Sequence, residues 1–380
     1  MITEIDFSKY TRFPGEVGNV FDVLLHKAEG IDRLPHWLFA GVLFLVALLP
    51  TQANWPYTIL LYIFFLLDWL SLALLPVRGR SFGPPKPPVL ILAVLRAVFA
   101  WLPPPVWIPL QIIGTGLVIY GFWIEPHRLT VTHQTLKTPK LKSGTRLRLL
   151  HLGDLHIERA TRREEELNCQ VKALQPDLIV FTGDVLNLSY LQDRISWNQA
   201  RQVMSEWSAP QGVYLVTGSP AVDLAGNMPE LLAGLPLRWL KDEHISVPVG
   251  DECLNLVGVT CTHRPFLDGP RLEETCQGLS DDFTVLLYHS PDLAPIASRL
   301  PIDLQLSGHT HGGQVRLPWF GALFTGSLYG RAFQSGRYQL DRLTLYISRG
   351  IGMEGASAPR VRFLCPPEII LWEIEGTGQV

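Results

Sequence analysis

The sequence predicts an all-α transmembrane domain of about four helices, followed by a globular domain of layered strands and helices. Residues 37–124 are almost free of charge, whereas residues 125–380 have the mixed composition of an ordinary globular protein. In the second part, short β-rich runs alternate with helical patterns, which is typical of layered α and β structure. We therefore divide the chain into an N-terminal segment (1–36), a transmembrane domain (37–124), a basic linker (125–145) and a globular domain (146–380).

The first part contains four apolar runs. They cover residues 37–50, 57–75, 89–102 and 106–124. A membrane-spanning helix needs ~20 apolar residues, or ~17 at the short end, so the second and fourth runs are long enough. The first and third are short and are expected to be tilted, extended or re-entrant. Buried core helices are the alternative, but four such runs in succession exceed what a soluble core needs.

Basic residues predict the orientation of these helices, because cytoplasmic loops carry an excess of lysine and arginine. The N-terminal segment, the loop at 76–88 and the segment after residue 124 carry cations, whereas the loops at 51–56 and 103–105 carry none. With four spans, all cationic segments lie on one side. We therefore expect a multi-pass protein of the inner (cytoplasmic) membrane with its globular domain in the cytoplasm. Residues 1–33 show no cleavable signal pattern.

Two ionisable residues lie inside the apolar runs. Asp68 is seven residues before the end of the second run, and Arg96 is seven after the start of the third. Equal depth on adjacent antiparallel helices predicts an ion pair, because a lone charge in a bilayer is costly. Contact of Arg96 with a lipid headgroup is the functional alternative.

Short β-rich runs recur through the globular part. They cover 146–152, 178–182, 213–217, 253–259, 283–288, 303–306, 343–348 and 369–374. Helical patterns separate several of them, at 160–174, 197–207 and 291–299. Loops at the carboxyl ends of strands converge in α/β folds, so polar residues directly after these strands are expected to form a site.

Five stretches rich in metal-ligand residue types follow these strands. They are Asp154 with His156, Gly183 with Asp184, Gly218-Ser219-Pro220 with Asp223 beyond it, His289, and the loop Gly308–Gln314 with His309 and His311. Asp154 and His156 are two residues apart, so in extended backbone both side chains leave the same face and can bind one ion. A single Gly-Asp or histidine is usually structural. Five such stretches in this order, each after a strand, indicate a metal centre.

This order resembles the calcineurin-like metallophosphoesterase superfamily, whose pattern is DxH, GD, GNH(D/E), H and GHxH. The likeness is in particular to its membrane-associated branch, which includes YkuE/YaeI-type phosphodiesterases and UDP-2,3-diacylglucosamine pyrophosphatases. It spans residues 147–374 and includes 308–314, 346–352 and 362–369. The resemblance implies an α+β fold, a four-layer α-β-β-α sandwich with two metal ions at one edge.

The resemblance also implies a ligand set for two divalent cations. The ligands of the first metal would be Asp154, His156, Asp184 and His311. Those of the second would be Asp184, His289 and His309. Mixed nitrogen and oxygen ligands suit Mn²⁺, with Fe or Zn²⁺ as alternatives, better than Mg²⁺ or Ca²⁺. Such a pair activates water and clamps phosphoryl oxygens, so the implied reaction is hydrolysis of a phosphoester or pyrophosphate, with Asp184 and His309 in the catalytic centre.

The third motif departs from the family pattern. Ser219 and Pro220 stand where the family has a metal-binding Asn and a His that contacts the scissile phosphate or protonates the leaving group. Serine is the weaker ligand, and proline cannot transfer a proton. Asp223 can substitute as a ligand, and His263 can replace the missing acid. Alternatively, a good leaving group such as a nucleoside phosphate needs little acid catalysis.

The expected substrate follows from the location of the domain. A domain held at the cytoplasmic leaflet after the basic stretch 137–148 meets anionic lipid headgroups. The resemblance points to UDP-2,3-diacylglucosamine, in lipid A assembly. Arg331 and Arg349, on glycine-flanked loops, are candidates for binding the substrate phosphate bidentately, or are ordinary surface or structural arginines. The net charge of −3 gives no indication of a nucleic-acid partner.

The predicted function is therefore a membrane-anchored, metal-dependent hydrolase of a membrane lipid or nucleotide-lipid. The alternative is a catalytically impaired domain that binds a phosphorylated ligand in a regulatory role. A transporter or channel is disfavoured, because four short spans with one charge pair offer little pathway.

Overall fold

The computed structural model describes residues 5–13 and 20–379, so parts of the predicted N-terminal segment lie outside the described residues. Residues 20–127 form a helical region. Its helices are α1 (Val20–Asp32), α2 (His36–Leu48), α3 (Trp55–Val77), α4 (Lys86–Phe99) and α5 (Pro104–Ile119). The last of these continues through a π turn and a 3₁₀ turn to His127. A helix is thus present at each of the four predicted apolar runs.

Two of the described helices are long and apolar enough to cross a membrane. They are α3, with 23 residues, and the continuous helix Pro104–His127, with 24. Residues 23–32 of α1 and helix α2 pass the same test only together, and they are bent by 107° at their junction. Helix α4 has 14 residues, fewer than the ~17 a span needs. The helical region is therefore confirmed with about two apolar membrane-length helices, and not clearly with four.

The predicted ion pair between Asp68 and Arg96 is present. The Arg96 Nε and Nη2 donate to the two carboxylate oxygens of Asp68 at 2.6 and 2.8 Å. Arg96 Nη1 donates to the backbone and side-chain oxygens of Gln111 at 2.8 and 3.1 Å, and Nη2 also donates to Thr115 at 3.0 Å. These bonds use the five N–H donors of a guanidinium inside the bundle, so the structural interpretation is favoured over lipid contact.

The globular domain contains the remaining strands and helices. The strands are β1 (Thr130–Lys142), β2 (Arg146–Leu152), β3 (Leu178–Phe181), β4 (Val213–Leu215), β5 (Arg238–Trp239), β6 (Glu243–Val249), β7 (Glu252–Gly258), β8 (Phe283–Leu287), β9 (Leu304–Ser307), β10 (Arg316–Leu317), β11 (Gly321–Ala322), β12 (Gly336–Leu340), β13 (Leu343–Ile347) and β14 (Glu368–Gly378). The helices are α6 (Arg162–Leu174), α7 (Arg194–Ser205), α8 (Met228–Leu232), α9 (Pro265–Thr275) and α10 (Ala294–Ala297). Each predicted β-rich run overlaps a strand, and the predicted helices correspond to α6, α7 and the turn ending in α10.

Two six-stranded mixed sheets form the centre of the domain. Their strand orders are β1-β14-β2-β3-β4-β5 and β12-β13-β9-β8-β7-β6. One apolar cluster, with Leu149 and Phe283, fills the space between the sheets. A second packs α6 and α7 on the outer face of the first sheet, and a third packs α9 and α10 on the outer face of the second. The predicted layer order α-β-β-α is therefore present.

Residues 125–145 are not a linker. Within them β1 pairs in parallel with β14, in the register Thr130 with Glu368, and forms one edge of the first sheet. Its burial pattern is mostly half-buried or exposed, and it contains lysines and a proline, which are common on edge strands. Because of this polar composition, the strand was not predicted from the sequence. Its pairing with β14 makes β1 part of the globular domain.

The helical region is fixed to the domain by two buried carboxylates. Glu158 accepts hydrogen bonds from the backbone N–H of Phe82 at 2.9 Å and from Nε of Arg360 at 2.7 Å. Glu125, at the end of the last long helix, accepts from the backbone N–H groups of Leu364 and Cys365. The ends of α3 and of the last helix that lie near the domain are therefore on the same side of the bundle.

Candidate metal centre

The candidate ligands lie on turns that directly follow the parallel strands of both sheets. Six of them have φ angles in the left-handed region: Asp154 (49°), His156 (41°), Asp184 (60°), His263 (59°), His309 (70°) and His311 (51°). Such angles are uncommon for residues other than glycine and cost of order 1–3 kcal/mol each. The extended backbone predicted for Asp154 and His156 is therefore wrong. Sharp turns, and not a strand, bring these two side chains together.

The first group consists of Asp154, His156 and His311, whose ligand atoms lie within 4.8 Å of one another. The Nε2 atoms of His156 and His311 are 3.1 Å apart. One oxygen of Asp154, Oδ2, is buried and has no hydrogen-bond partner among the described residues. A buried polar atom without a partner is unusual. A divalent cation between these three side chains would satisfy it, so the residues fit a metal site.

Asp184 lies between this group and a second one. Its Oδ2 atom is 3.4 Å from His156 Nε2 and 3.3 Å from His289 Nε2. One carboxylate oxygen therefore faces a histidine of each group. This is the arrangement that a ligand shared by two cations requires.

The second group consists of His263, His289 and His309, whose ligand nitrogens also lie within 4.8 Å of one another. The hydroxyl of Ser219 is 3.1 Å from Nε2 of His289 and 3.1 Å from Nε2 of His263. These distances fit a common cation, because two ligand atoms that are each ~2.1 Å from one cation and at right angles to each other are ~3 Å apart. His263, expected from the sequence only as a replacement acid, therefore lies where its ring nitrogen could bind the same cation as His289 and His309. Its one sequence signal was its place shortly after a predicted strand.

Asp223 is not part of either group. Its carboxylate accepts backbone hydrogen bonds from Gly218 at 2.7 Å, Asp184 at 2.8 Å and Val185 at 3.0 Å. Burial, together with the neighbouring Asp184, raises the pKa of Asp223 to about 6. The expectation that Asp223 substitutes as a ligand is not supported, because the turn that begins at Ser219 directs its carboxylate at the backbone. Asp223 instead holds the two ligand-bearing loops together.

Two glycines permit the close approach of these loops. A Cβ at Gly218 would lie 2.2 Å from Oδ1 of Asp184, and a Cβ at Gly308 would lie 2.4 Å from Oδ2 of Asp154. Pro220, which follows Ser219, is exposed. Position 220, where the family motif has a histidine that can protonate the leaving group, therefore supplies no proton donor here.

The carboxylates and imidazoles of the site alter one another's pKa values. Burial disfavours a charged His289, but the carboxylates of Asp184 and Asp154 raise its pKa to about 9. Burial lowers the pKa of His309 to about 3 and that of His311 well below its usual range. Burial also raises the pKa of Asp154 to about 6. Neutral imidazoles are the form that binds metals, so a cation here would displace the proton from His289 and would itself compensate the buried carboxylates.

The guanidinium groups of the two candidate arginines bind partners other than the candidate ligands. Arg349 is half-buried and donates to Glu368 at 2.7 Å, so its guanidinium is held by a structural ion pair. Arg331 is exposed, lies over the ring of Phe320 at 3.7 Å and donates to the Phe320 carbonyl. Neither contact directs a guanidinium at the candidate ligands. The sequence could not show this, because Phe320 is 11 residues from Arg331 in the chain and Glu368 is 19 residues from Arg349.

Comparisons with known proteins match this domain. Residues 147–313 match the family model of the calcineurin-like phosphoesterases. The uncharacterized metallophosphoesterase YkuE of Bacillus subtilis is 29% identical over 266 residues, 68% of this chain and 90% of that protein. The UDP-2,3-diacylglucosamine pyrophosphatase LpxG of Chlamydia muridarum is 23% identical over 316 residues, 67% of this chain and 91% of that protein. A transmembrane protein with metallophosphoesterase domain from Danio rerio is 26% identical over 343 residues, 86% of this chain and 71% of that protein.

Proposed function

Because residues 147–313 match the family model of the calcineurin-like phosphoesterases, we propose that this chain is a membrane-anchored, dimetal phosphodiesterase or pyrophosphatase acting on a membrane lipid or nucleotide-lipid. The observation that carries the proposal is the position of Asp184 Oδ2, 3.4 Å from His156 and 3.3 Å from His289. A carboxylate oxygen shared in this way is suited to a site for two cations.

The chain offers ligands for both cations. Asp154, His156 and His311 would hold the first. His263, His289 and His309 would hold the second, with Ser219 as a weak further ligand. Asp184 would contribute to both. Two bound divalent cations activate water and neutralise the charge on phosphoryl oxygens, and the nitrogen-rich donor set favours Mn²⁺, Fe or Zn²⁺.

The residue at position 220 limits the substrate class. Pro220 cannot protonate a leaving group, so alkoxide leaving groups, which need general acid catalysis worth ~10²–10⁴-fold, are disfavoured. A phosphate monoester leaves without a proton donor. Cleavage of a pyrophosphate bond, which releases such a group, is therefore the reaction that these residues support best.

The membrane location is supported by the distribution of basic residues at the helix ends and by the names of similar proteins. The ends of α3 and of the last helix near the domain are followed by Arg78, Arg80 and Arg128, whereas the loops 51–56 and 103–105 at the far ends have no cation. The positive-inside rule then assigns the domain to the cytoplasmic side of the inner membrane. The Danio rerio relative is named as a transmembrane protein. The name of LpxG supports UDP-2,3-diacylglucosamine as the candidate substrate.

The proposal is tested by substrate comparison on the detergent-purified full chain with Mn²⁺. We expect release of UMP from UDP-2,3-diacylglucosamine and much slower release from UDP-N-acetylglucosamine, which has the same pyrophosphate but no fatty acyl chains on the sugar. The Asp184→Ala variant should release UMP from neither. Equal rates on both substrates would contradict the lipid assignment, and metal-independent release would contradict the site.

A second candidate function is favoured by the exposed Pro220, which removes a proton donor from the site. In this case the domain binds a phosphorylated ligand in a regulatory role and does not hydrolyse it. Metal-loaded protein that binds UDP-2,3-diacylglucosamine saturably, but releases no UMP, would support this candidate.

A further inference from the structure

An exposed apolar surface lies beside the metal centre. Eight large hydrophobic side chains are exposed within the described residues 125–379, and six of them fall at 317–324 and 364. We call these six the apolar hairpin: Leu317, Trp319, Phe320, Leu323, Phe324 and Leu364. Trp319, at the tip between β10 and β11, is fully exposed. Clustering of this kind on a soluble domain marks an interaction site.

The apolar hairpin is joined to the end of the last long helix. Arg316 N–H donates to the Phe363 carbonyl at 2.9 Å, which attaches β10 to the segment containing Leu364. The Phe363 ring meets the ring of Tyr120 edge-on at 5.8 Å, and the Leu364 N–H donates to Glu125 at 3.0 Å. Tyr120 and Glu125 both belong to the continuous helix that ends at His127. The hairpin is therefore next to the point where this helix meets the domain.

The charges around the hairpin indicate what it contacts. Residues 304–336 contain no acidic residue but contain Arg316 and Arg331. The guanidinium of Arg331 lies over the Phe320 ring at 3.7 Å, at the edge of the apolar surface. Aromatic side chains flanked by arginine are typical of the headgroup level of a bilayer, where the ring is partly in lipid and the cation meets phosphate.

We propose that the apolar hairpin inserts into the cytoplasmic-side headgroup region of the bilayer, as a second membrane contact beside the transmembrane helices. The proposal rests on the membrane anchoring proposed above. The apolar hairpin continues the apolar surface of the last helix, where Ile119 and Ile124 are also exposed. Arg331 then contacts a lipid phosphate in the leaflet, and not the substrate phosphate at the metals.

The hairpin is also connected to the metal ligands. The Gly326 carbonyl, just after the hairpin, lies 3.1 Å from Nε2 of His309. A Cβ at Gly313 would lie 2.4 Å from the Phe324 carbonyl oxygen, so the ligand-bearing loop packs directly on the hairpin. Insertion of the hairpin would thus hold the metal centre at the membrane surface, where a lipid phosphate is accessible.

The test is depth-dependent fluorescence quenching in vesicles of phosphatidylcholine and phosphatidylglycerol. The full chain carries Cys169→Ser and Cys253→Ser, which remove its exposed and partly exposed thiols. A fluorescent probe is then placed by Trp319→Cys at the hairpin, by Ile63→Cys on α3 as a bilayer control, or by Ile195→Cys on α7 as a matched exposed apolar control. Lipids with the nitroxide at a shallow or at a deep acyl position serve as quenchers.

We expect quenching at position 319 to exceed that at 195 by at least about twofold, as for an interfacial segment. Quenching at 63 but not at 319 would overturn the hairpin proposal and leave the anchoring intact. Quenching at neither position would overturn the anchoring, and the hairpin proposal with it. Protection of 319 from an aqueous quencher without quenching by lipid would mean a protein partner and would also overturn the proposal.

Discussion

Ser219 Oγ lies 3.1 Å from Nε2 of His263, although 44 residues separate the two in the chain. The loop after β4 has serine in place of the amide ligand of the family motif, and the loop after β7 brings an imidazole to the same place. His263 also has a left-handed φ of 59°, like the other ligand candidates on the turns. We therefore expect the second metal position to keep a full ligand set, with His263 in place of the missing amide.

Replacement of His263 by alanine is expected to weaken the second metal site selectively. Loss of one ligand should lower the affinity of that site at least about tenfold, because even outer-shell changes have effects of this size. At limiting free Mn²⁺, the metal content measured by mass spectrometry should fall from two ions per chain toward one. His244→Ala, at an exposed histidine on β6, is the matched control. Unchanged stoichiometry in the His263 variant would exclude its role as a ligand.

Restoring the family motif by Ser219→Asn with Pro220→His is expected to raise turnover of diesters with poor leaving groups. General acid catalysis contributes ~10²–10⁴-fold, so the gain should be largest for alkyl esters and small for p-nitrophenyl esters. The measurement is kcat for both ester classes in the two proteins. Absence of any gain on alkyl esters would mean that the missing acid does not limit the chemistry.

The buried pair of Asp68 and Arg96 is expected to hold the helical bundle together cooperatively. Removing one partner leaves a buried charge uncompensated and should destabilise the bundle by about 3–5 kcal/mol. Removing both should cost much less than the sum of the two single changes. A cycle of Asp68→Ala, Arg96→Leu and the double variant, followed by unfolding in detergent, measures the coupling. Additive effects would contradict the pairing.

The acid sensitivity of the domain is expected to depend on His151. Burial lowers the pKa of His151 to about 3 in the folded protein, whereas an unfolded histidine has a pKa of about 6.5. Between these values only the unfolded state takes up the proton, so the free energy of unfolding falls as the pH falls, by up to about 1.4 kcal/mol per pH unit.

In His151→Gln, this loss of stability between about pH 6.5 and pH 3 should therefore be shallower than in the wild type. Unfolding measured across this range checks the prediction. His133→Gln, at an exposed histidine on β1, is the control. Equal pH dependence in His151→Gln and the wild type would refute it.

The sequence predicted the features that depend on local patterns. The strands followed by ligands were predictable because buried strands are continuous apolar runs. The Asp68–Arg96 pair was predictable because two opposite charges at equal depth on adjacent helices compensate each other. Other tertiary partners were not predictable. Asp223 is held by three backbone N–H groups, and β1 is stabilised by pairing with β14 despite its polar composition.

The central claim is that the two groups of ligands joined by Asp184 form a hydrolytic dimetal site. Mn²⁺-dependent hydrolysis of bis-p-nitrophenyl phosphate by the detergent-purified full chain, with Asp184→Ala as the control, tests it most directly. We predict activity in the wild type and, in the variant, loss of both activity and bound manganese, since the shared carboxylate is removed. Full manganese occupancy in the variant, or no hydrolysis by a wild-type protein that holds two manganese ions, would contradict the claim.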